Sequence, residues 1–277
     1  MVKLILAIAD IHIPNFRGIE DYTEKLEKLV LSLKENAEGY SYEEIRILLL
    51  GDLIHNKNNV SNELMALASS LISELEKIGK VIVIAGNHDL VLTNKSRLDT
   101  INTIFQVASF KNAILLDRKL SYDSGCMEDE NIVWCLYSIY NDYSQINMKE
   151  VRSMYPNNLH IGLFHGNLIG STLSNGYKSE KGISTELFRG CDLVLCGDIH
   201  KRQVIKKHKY DIVYCGSTFQ QNFGETVNEH GYVKMIVNED NTFQYSFVDV
   251  NVDFGMYNIE INSIDDIEKG EEKIKNL

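Results

Sequence analysis

The chain has 277 residues, of which 44% are hydrophobic and 24% charged, and its formal net charge at pH 7 is −11. This composition is typical of one large globular domain and excludes a low-complexity or fibrous protein. The acidic balance argues against a protein that coats DNA or membrane surfaces, because those surfaces attract cationic proteins. The apolar runs are far shorter than the roughly 20 residues of a membrane span, and no signal peptide is recognisable, so we expect a cytoplasmic protein.

The first 90 residues alternate between predicted strands and helices. Short apolar runs rich in β-branched residues predict strands at 2–9, 45–50 and 80–85. Apolar residues at helical spacing predict helices at about 19–33 and 60–78. Alternating elements with continuously apolar strands are typical of a parallel sheet that is covered on both faces.

After residue 90 the pattern predicts one helix, at about 97–108, and then mostly strands. Strands are expected at 113–116, 131–137, 159–164, 192–196, 203–207, 211–215, 231–237 and 242–249. We therefore predict an α/β fold for residues 1–250, a mixed β-sandwich flanked by helices. The acidic, helix-prone segment 251–277 is expected to be the start of a truncated or rudimentary C-terminal capping region, with a solvated terminal helix as the alternative.

Residue types that bind metal ions follow five of the predicted strands. They are Asp10 and His12 in ADIH, Asp52 and His55 in GDLIH, Asn87, His88 and Asp89 in GNHD, His165 in FHG, and Asp198 and His200 in GDIH. Each motif alone is also typical of a turn or a helix cap. Together they contain five of the eight histidines, and the carboxyl ends of parallel strands meet at one sheet edge. The combination predicts one metal site there.

A site of carboxylate, amide and imidazole ligands favours two divalent ions, with Asp52 suited to bridge them. Two ions about 3.5–4 Å apart can lower the pKa of water and stabilise an in-line displacement at phosphorus. The predicted chemistry is hydrolysis of a phosphate ester, without a covalent phosphoenzyme.

The order of these motifs resembles the calcineurin-like metallophosphoesterase family, whose usual pattern is DxH, GDxx, GNH(D/E), an isolated His and GHxH. The GDLIH form and the segment YCGSTFQQNFGETVNEHGYV are similar to the nuclease subunit of SbcCD-type double-strand-break repair complexes. The resemblance covers about residues 2–250. It implies a calcineurin-like fold and a DNA exo/endonuclease that acts at DNA ends with an SbcC-type coiled-coil ATPase partner.

The resemblance also implies roles for individual residues. One ion would be held by Asp10, His12, Asp52 and His200, and the other by Asp52, Asn87, His165 and Asp198. His88 would stabilise the transition state or protonate the leaving oxygen, and His55 would help to place the scissile strand. The implied cofactor is two divalent ions, Mn²⁺ with Mg²⁺ as the alternative.

One departure from the family pattern is GDIH in place of GHxH, which puts Asp198 where an imidazole is usual. A carboxylate remains a competent ligand for manganese or magnesium but makes the site less suited to zinc. The remaining histidines, His160, His208 and His230, are expected to be exposed. The five cysteines are expected to form neither a disulfide framework nor a zinc site.

A hairpin directly after the last motif is the predicted contact for DNA. It carries Lys201, Arg202, Lys206, Lys207 and Lys209, which could hold a phosphate backbone through charge. The alternative is an ordinary solvated hairpin.

Two other functions stay open at this point. They are a small-substrate phosphodiesterase or phosphatase on the same fold, and a non-catalytic scaffold that binds DNA or a partner. The helices at 60–78 and 97–108 could also form a homodimer contact, although the sheet needs their apolar faces too.

Overall fold

The computed structural model describes residues 1–15, 19–56, 60–94, 97–253 and 255–257. In this part of the chain the strands are β1 (Leu4–Ile8), β2 (Ile45–Leu50), β3 (Lys80–Ile84), β4 (Ala113–Leu115), β5 (Gly125–Asp129), β6 (Ile132–Tyr137), β7 (Leu159–His165), β8 (Leu193–Gly197), β9 (Gln203–Lys206), β10 (Asp211–Tyr214), β11 (Gly231–Val237) and β12 (Phe243–Asp249). The helices are α1 (Ile19–Ala37), α2 (Asn62–Leu75), α3 (Thr100–Val107), α4 (Leu116–Lys119) and α5 (Met148–Met154).

The strands form two six-stranded mixed sheets. The first has the order β12-β11-β1-β2-β3-β4, with β1 to β4 parallel and β11 and β12 antiparallel at one edge. The second has the order β5-β6-β7-β8-β10-β9, with a parallel centre and an antiparallel strand at each edge. The predicted mixed sandwich flanked by helices is confirmed.

The sheets pack face to face because their strands are apolar on both sides. In β1, Ile5 and Ala7 face the second sheet, whereas Leu4, Leu6 and Ile8 pack beneath helices α1 and α2. The outer face of the second sheet is covered by α5 and by loops that contribute Phe188 and Ile146. Three apolar layers therefore hold helices, sheet, sheet and loops together.

The sequence pattern missed β5, α4 and α5, and it assigned Leu116, the first residue of α4, to a strand. The strand β5 is half-buried and carries polar residues, so its alternation is weak. Helix α3 starts at Thr100 rather than near residue 97, because the Asp99 side chain accepts a hydrogen bond from Asn102 N at 2.8 Å and caps the first turn. None of the described helices could cross a bilayer. All five cysteines are free thiols.

Most of the predicted capping segment 251–277 lies outside the described residues, since residues 254 and 258–277 are among those left out. Its first residues contact the domain. Asp253 forms an ion pair with Lys28 of α1, and the Met256 backbone exchanges two hydrogen bonds with the Gln220 side chain. The domain boundary near residue 250 stays a prediction.

Two buried polar contacts join the sheets at opposite edges. At the amino ends of the parallel strands, the fully buried Arg46 of β2 donates to both carboxylate oxygens of Asp129 of β5, at 2.6 and 2.7 Å. At the carboxyl ends, Asp117 accepts hydrogen bonds from Ala85 N, after β3, and from Ser138 Oγ, after β6, at 2.9 and 2.5 Å.

Replacing Asp129 with Ala should destabilise the fold strongly, because it leaves the guanidinium of Arg46 buried without its partner. We expect the free energy of unfolding to fall by about 3–5 kcal/mol in urea denaturation. Lys80→Ala is the control, since the half-exposed ammonium of Lys80 pairs with the exposed Glu43 and its removal should cost less than about 1 kcal/mol. Equal losses in the two variants would contradict this account of the Arg46–Asp129 pair.

Burial raises the pKa of Asp117 to about 6. A group whose pKa is higher in the folded than in the unfolded protein stabilises the folded state. This contribution is fully present below the pKa of the unfolded protein and is lost as pH rises through the pKa of the folded protein. Asp117→Asn keeps the shape of the side chain and removes this pH dependence. The unfolding free energy of the variant minus that of wild type should therefore rise by about 1 kcal/mol from pH 5 to pH 8. Urea denaturation at both pH values tests this, and a pH-independent difference would contradict it.

Candidate metal centre

The five predicted motifs lie together at one edge of the sandwich. Strands β1, β2 and β3 of the first sheet and β7 and β8 of the second all run with their carboxyl ends toward it. The loops after β1 and β2 continue side by side, since His12 N donates to Asp52 O at 2.9 Å and Ile13 N donates to Leu53 O at 2.9 Å. The topology therefore brings both sheets' motifs to the same place.

Four of the site residues have a left-handed backbone. The φ angles are +51° at Asp10, +53° at His12, +53° at Asp52 and +88° at Asp198. This conformation is uncommon for residues other than glycine and concentrates at functional sites. It takes the chain out of the strand pleat, so that Asp10 and His12 can both point into the site.

Close approach of the strand ends explains two glycines. A Cβ at Gly51, where φ is +85°, would lie 2.3 Å from Nδ1 of His165. A Cβ at Gly86 would lie 2.2 Å from Oδ1 of Asp52. Neither position has room for a side chain, which accounts for the glycines of the GD and GNHD motifs.

The first group of possible ligands is Asp10, His12 and His200. One ligand atom from each lies within 4.8 Å of the other two. The Nε2 atoms of His12 and His200 face each other at 3.1 Å, and Asp52 Oδ2 lies 3.6 Å from His12 Nε2. Two imidazole lone pairs at this distance repel each other unless a cation or a proton lies between them, so this arrangement fits a metal ion.

The second group is Asp52, Asn87, His165 and Asp198. A single amide atom of Asn87 lies 3.3 Å from Asp52 Oδ2, 3.0 Å from His165 Nε2 and 3.1 Å from Asp198 Oδ1. As a nitrogen, this atom has two hydrogens to share among the three neighbours. As an oxygen beside a neutral His165, it completes a set of four acceptors that repel one another without a shared cation, and this donor set suits manganese or magnesium.

The electrostatics of the site favour a positive charge. Burial raises the pKa of Asp10 to about 7 and lowers that of His12 to about 3, which keeps the imidazole neutral with one ring nitrogen available as an acceptor. Burial would also raise the pKa of Asp52, but the neighbouring imidazoles, with His165 first, hold it below its ordinary value. Burial works against a charged His165, yet Asp52, Asp10 and Asp198 raise its pKa well above the ordinary value.

The protein also sets the orientation of His165. Its Nδ1 lies 2.7 Å from the carbonyl oxygen of Leu50, so Nδ1–H donates there and Nε2 points at Asp52, Asn87 and Asp198. A hydrogen bond from the other ring nitrogen to a carbonyl is the usual support for a metal-binding histidine.

His55 and His88 lie at the open side of the site. The backbone N of His88 donates to Asp52 Oδ1 at 2.8 Å, and its Nδ1 lies 2.7 Å from the carbonyl oxygen of His55. The two rings stack with centroids 5.8 Å apart, and the His88 and His12 rings are 4.8 Å apart. His88 is half-buried and His55 exposed, so both can reach a bound substrate.

The basic hairpin is less continuous than the sequence suggests. Arg202 pairs with Asp249 at 2.5 Å and lies over the Phe247 ring, and Lys206 pairs with Asp211 at 2.6 Å. Strand β9 runs away from the metal edge, so Lys207 and Lys209 lie about 13 Å farther on, at the opposite edge. Lys201, next to His200, is exposed at the site. Contact between these residues and DNA stays a prediction, and the geometry favours it for Lys201.

The expected exposure of the other histidines is partly wrong. His208 is exposed, but His160 and His230 are buried, with exposed fractions of 0% and 7%. His160 occupies β7, which is covered on both faces. The Nε2 atom of His230 lies 2.7 Å from the carbonyl oxygen of Thr226 in the loop before β11. For a single residue beside a turn or at a strand end, the neighbouring sequence does not predict whether the side chain is buried.

Two carboxylates near the site were not assigned a role from the sequence. Asp89 accepts hydrogen bonds from the backbone N of Gly86, Asp52 and Ile54, at 2.8, 2.9 and 3.3 Å, and so holds two motif loops together. The sequence feature that could have identified Asp89 is its position inside the GNHD motif. Glu225 lies 2.7 Å from Nδ1 of His200, and no motif marks it, because it is 25 residues farther along an irregular loop.

A relative found at the sequence level has no described function. An uncharacterized protein of Acanthamoeba polyphaga mimivirus is 31% identical over 267 residues, which are 94% of this chain and 19% of that protein. The chain thus spans about a fifth of the length of the curated relative it matches.

Two of the solved structures that match this chain illustrate the shared fold. A candidate 5'-nucleotidase from Staphylococcus aureus has a TM-score of 0.51 at 11% identity, covering 99% of this chain and 58% of that chain. GAP50 of Plasmodium, described as the anchor in the inner membrane complex, has a TM-score of 0.53 at 12% identity, covering 92% of this chain and 87% of that chain.

The family model of the calcineurin-like phosphoesterases matches residues 3–202. This range contains all five motifs, from Asp10 to His200, and the two-sheet fold and the converging Asp, Asn and His side chains agree with it. The chain belongs to the calcineurin-like phosphoesterase family.

Proposed function

We propose that this protein is a nuclease that hydrolyses DNA phosphodiester bonds with two divalent ions, preferably Mn²⁺. The observation that carries the metal-dependent hydrolysis is the pair of ligand groups sharing Asp52. One is built around the facing His12 and His200 Nε2 atoms, 3.1 Å apart, and the other around the Asn87 amide atom within 3.3 Å of three acceptors. Membership of a family of metal-dependent phosphoester hydrolases supports the same reaction.

The proposed ligands are those the motifs indicate. Asp10, His12, Asp52 and His200 would hold one ion, and Asp52, Asn87, His165 and Asp198 the other. Two ions bound here would supply Lewis-acid chemistry, lowering the pKa of water and offsetting charge on the phosphate. The chain's own contribution is to hold these side chains in place and to exclude water from the buried side of Asp10 and Asp52, whose residues are 0% and 2% exposed.

His88 is the proposed general acid. Its Nδ1–H donates to the His55 carbonyl, so in the imidazolium form Nε2–H, on the open side of the site, would give its proton to the leaving oxygen and leave a neutral ring. Its backbone N binds Asp52, so the ring is fixed relative to the proposed bridging ligand. The exposed His55, stacked against His88, is proposed to help place the scissile strand.

DNA is the proposed substrate for two reasons. The GDLIH motif, with its His55, resembles the nuclease branch, and the site opens to solvent through His55 and His88, so a polymer backbone can lie across it.

The SbcC-type ATPase partner, and a role in repair or recombination, are proposed from the resemblance alone. A homodimer contact through α2 and α3 is also proposed, and the exposed Val107 of α3 leaves apolar surface for it.

A small-substrate phosphoesterase is the second candidate. A groove of about 330 Å³ is lined by Asp198 and His200 and otherwise by uncharged residues, among them Ser174, Asn175 and Asn222. Beyond the two proposed ligands it offers uncharged hydrogen-bonding groups, which suit a sugar or base better than a second phosphate.

Activity with Mn²⁺ separates the two candidates. We expect the chain to degrade linear or single-stranded DNA, measured by gel electrophoresis, and to turn over a small chromogenic phosphodiester less efficiently. Strong turnover of the small diester without cleavage of DNA would overturn the nuclease proposal. Two bound ions without either activity would favour a scaffold.

His88→Ala tests the general acid. Loss of proton donation should lower DNA cleavage by about 10²–10⁴-fold. Both Mn²⁺ ions should still bind, since the His88 side chain is not a proposed ligand. His208→Ala, which removes an exposed histidine away from the site, should cleave like wild type. Cleavage by the His88 variant within a few fold of wild type would exclude this role.

Asp198→His restores the usual family residue and should let zinc support cleavage, because imidazole is a softer ligand than carboxylate. Asp198→Asn removes the charge at similar size and should not confer zinc activity. Cleavage rates with manganese, magnesium and zinc for the three proteins are the measurement. If the histidine variant keeps wild-type activity in manganese and remains inactive with zinc, Asp198 does not set the metal preference.

A further inference from the structure

The loop between β10 and β11 places a buried carboxylate directly behind the proposed metal centre. The side chain of Glu225 is 3% exposed, and both of its oxygens accept hydrogen bonds. Oε1 accepts from Asn222 Nδ2 at 2.6 Å and lies 2.7 Å from His200 Nδ1. Oε2 accepts from Gln221 N at 2.9 Å and Ser217 Oγ at 3.3 Å. The four contacts fix the position of the carboxylate.

This carboxylate determines which nitrogen of His200 can bind a cation. Because Oε1 is an acceptor, Nδ1 carries the hydrogen, and Nε2 keeps its lone pair in the neutral ring. Nε2 is the atom that faces His12 Nε2 at 3.1 Å and belongs to the group formed with Asp10. The carboxylate also makes the ring a stronger electron donor through this hydrogen bond.

Other parts of the chain hold the loop that carries Glu225. The Gln220 side chain donates to the carbonyl oxygen of Glu225 at 3.1 Å and to that of Met256 at 2.9 Å. His230 Nδ1 lies 3.0 Å from Ser217 Oγ, which itself contacts Glu225. These groups all lie beyond residues 3–202, the range that the family model matches. The support of His200 therefore depends on a segment outside that range.

We propose that Glu225 is a positioning residue that fixes the orientation and tautomer of His200 and thereby sets the affinity of the Asp10–His12–His200 group for a divalent ion. The inference rests on the two-ion site of the proposed function. It assigns to the loop after β10 a part in metal binding, so that a chain ending soon after residue 202 would have an incomplete site.

Titration of the full chain with Mn²⁺, followed by the electron paramagnetic resonance signal of free Mn²⁺, measures this affinity without any need for activity. Glu225→Ala should weaken the binding of one of the two ions by about 10–100-fold and change the affinity for the other much less. Glu225→Gln keeps an oxygen for His200 Nδ1–H, but its amide nitrogen faces the donor Gln221 N. We expect it to keep most of the affinity, with a loss of about 3–10-fold relative to wild type.

Asp192→Ala is the matched control. Asp192 lies beside His160 at the opposite edge of the second sheet, accepts a hydrogen bond from its backbone N at 2.8 Å and pairs with Arg152 at 2.5 Å. Its loss should leave both Mn²⁺ affinities unchanged. Thermal unfolding of each variant shows whether it is folded, and if Glu225→Ala is not, the Gln variant compared with wild type still gives a measurable loss.

The outcomes distinguish this inference from the proposed function. If wild type binds two Mn²⁺ ions and the folded Glu225 variants bind them with equal affinity, the positioning role is wrong and the two-ion site stands. If wild type binds no Mn²⁺ at all, the proposed function itself fails. An affinity loss as large in Asp192→Ala as in Glu225→Ala would also overturn the inference, because it would reflect general destabilisation.

Discussion

The crowding of acids and imidazoles at the sheet edge is the constraint on which the rest of the structure depends. Asp10, His12 and Asp52 are buried, and they adopt a left-handed backbone. Each such residue costs about 1–3 kcal/mol, and burial of a carboxylate costs more unless it is paired. The surrounding fold must offset these costs, and a cation between the ligands would remove much of the repulsion.

The sandwich provides that offset by making the site an interface between two sheets. Three of the motifs come from the first sheet and two from the second, so the ligands meet only when the sheets are packed in one register. The apolar layer between the sheets sets their separation. The Arg46–Asp129 pair at one edge and Asp117 at the other add directional contacts across it. A change that weakens the packing between the sheets should therefore also disturb the geometry of the ligands.

The distribution of charge explains how an acidic protein can act on a phosphate ester. Several of the 39 acidic residues lie inside the site, where they attract cations rather than repel a substrate at long range. Part of the basic hairpin is neutralised by Asp249 and Asp211, so the positive charge that meets substrate would come mainly from bound ions and from residues such as Lys201. The proposed binding of DNA should then depend on metal.

Much of the fold could be predicted from the sequence, because the information is local. Strands β1, β2 and β3 are short apolar runs with clear ends, and the polar motifs follow those ends directly. The antiparallel β5 escaped prediction, since a half-buried polar edge strand has little alternation. The short helix α5 has too few turns for a reliable periodic pattern.

The sequence alone determined the class of chemistry, since Asp, Asn and His after parallel strands can hardly converge anywhere but at the carboxyl edge of a sheet. Tertiary structure decided what surrounds those ligands. It placed Glu225 behind His200, buried His160, and turned the tip of the basic hairpin away from the metal edge. Such contacts join residues far apart in the chain, and their distances depend on how the sheets and loops pack rather than on any pattern near the residues themselves.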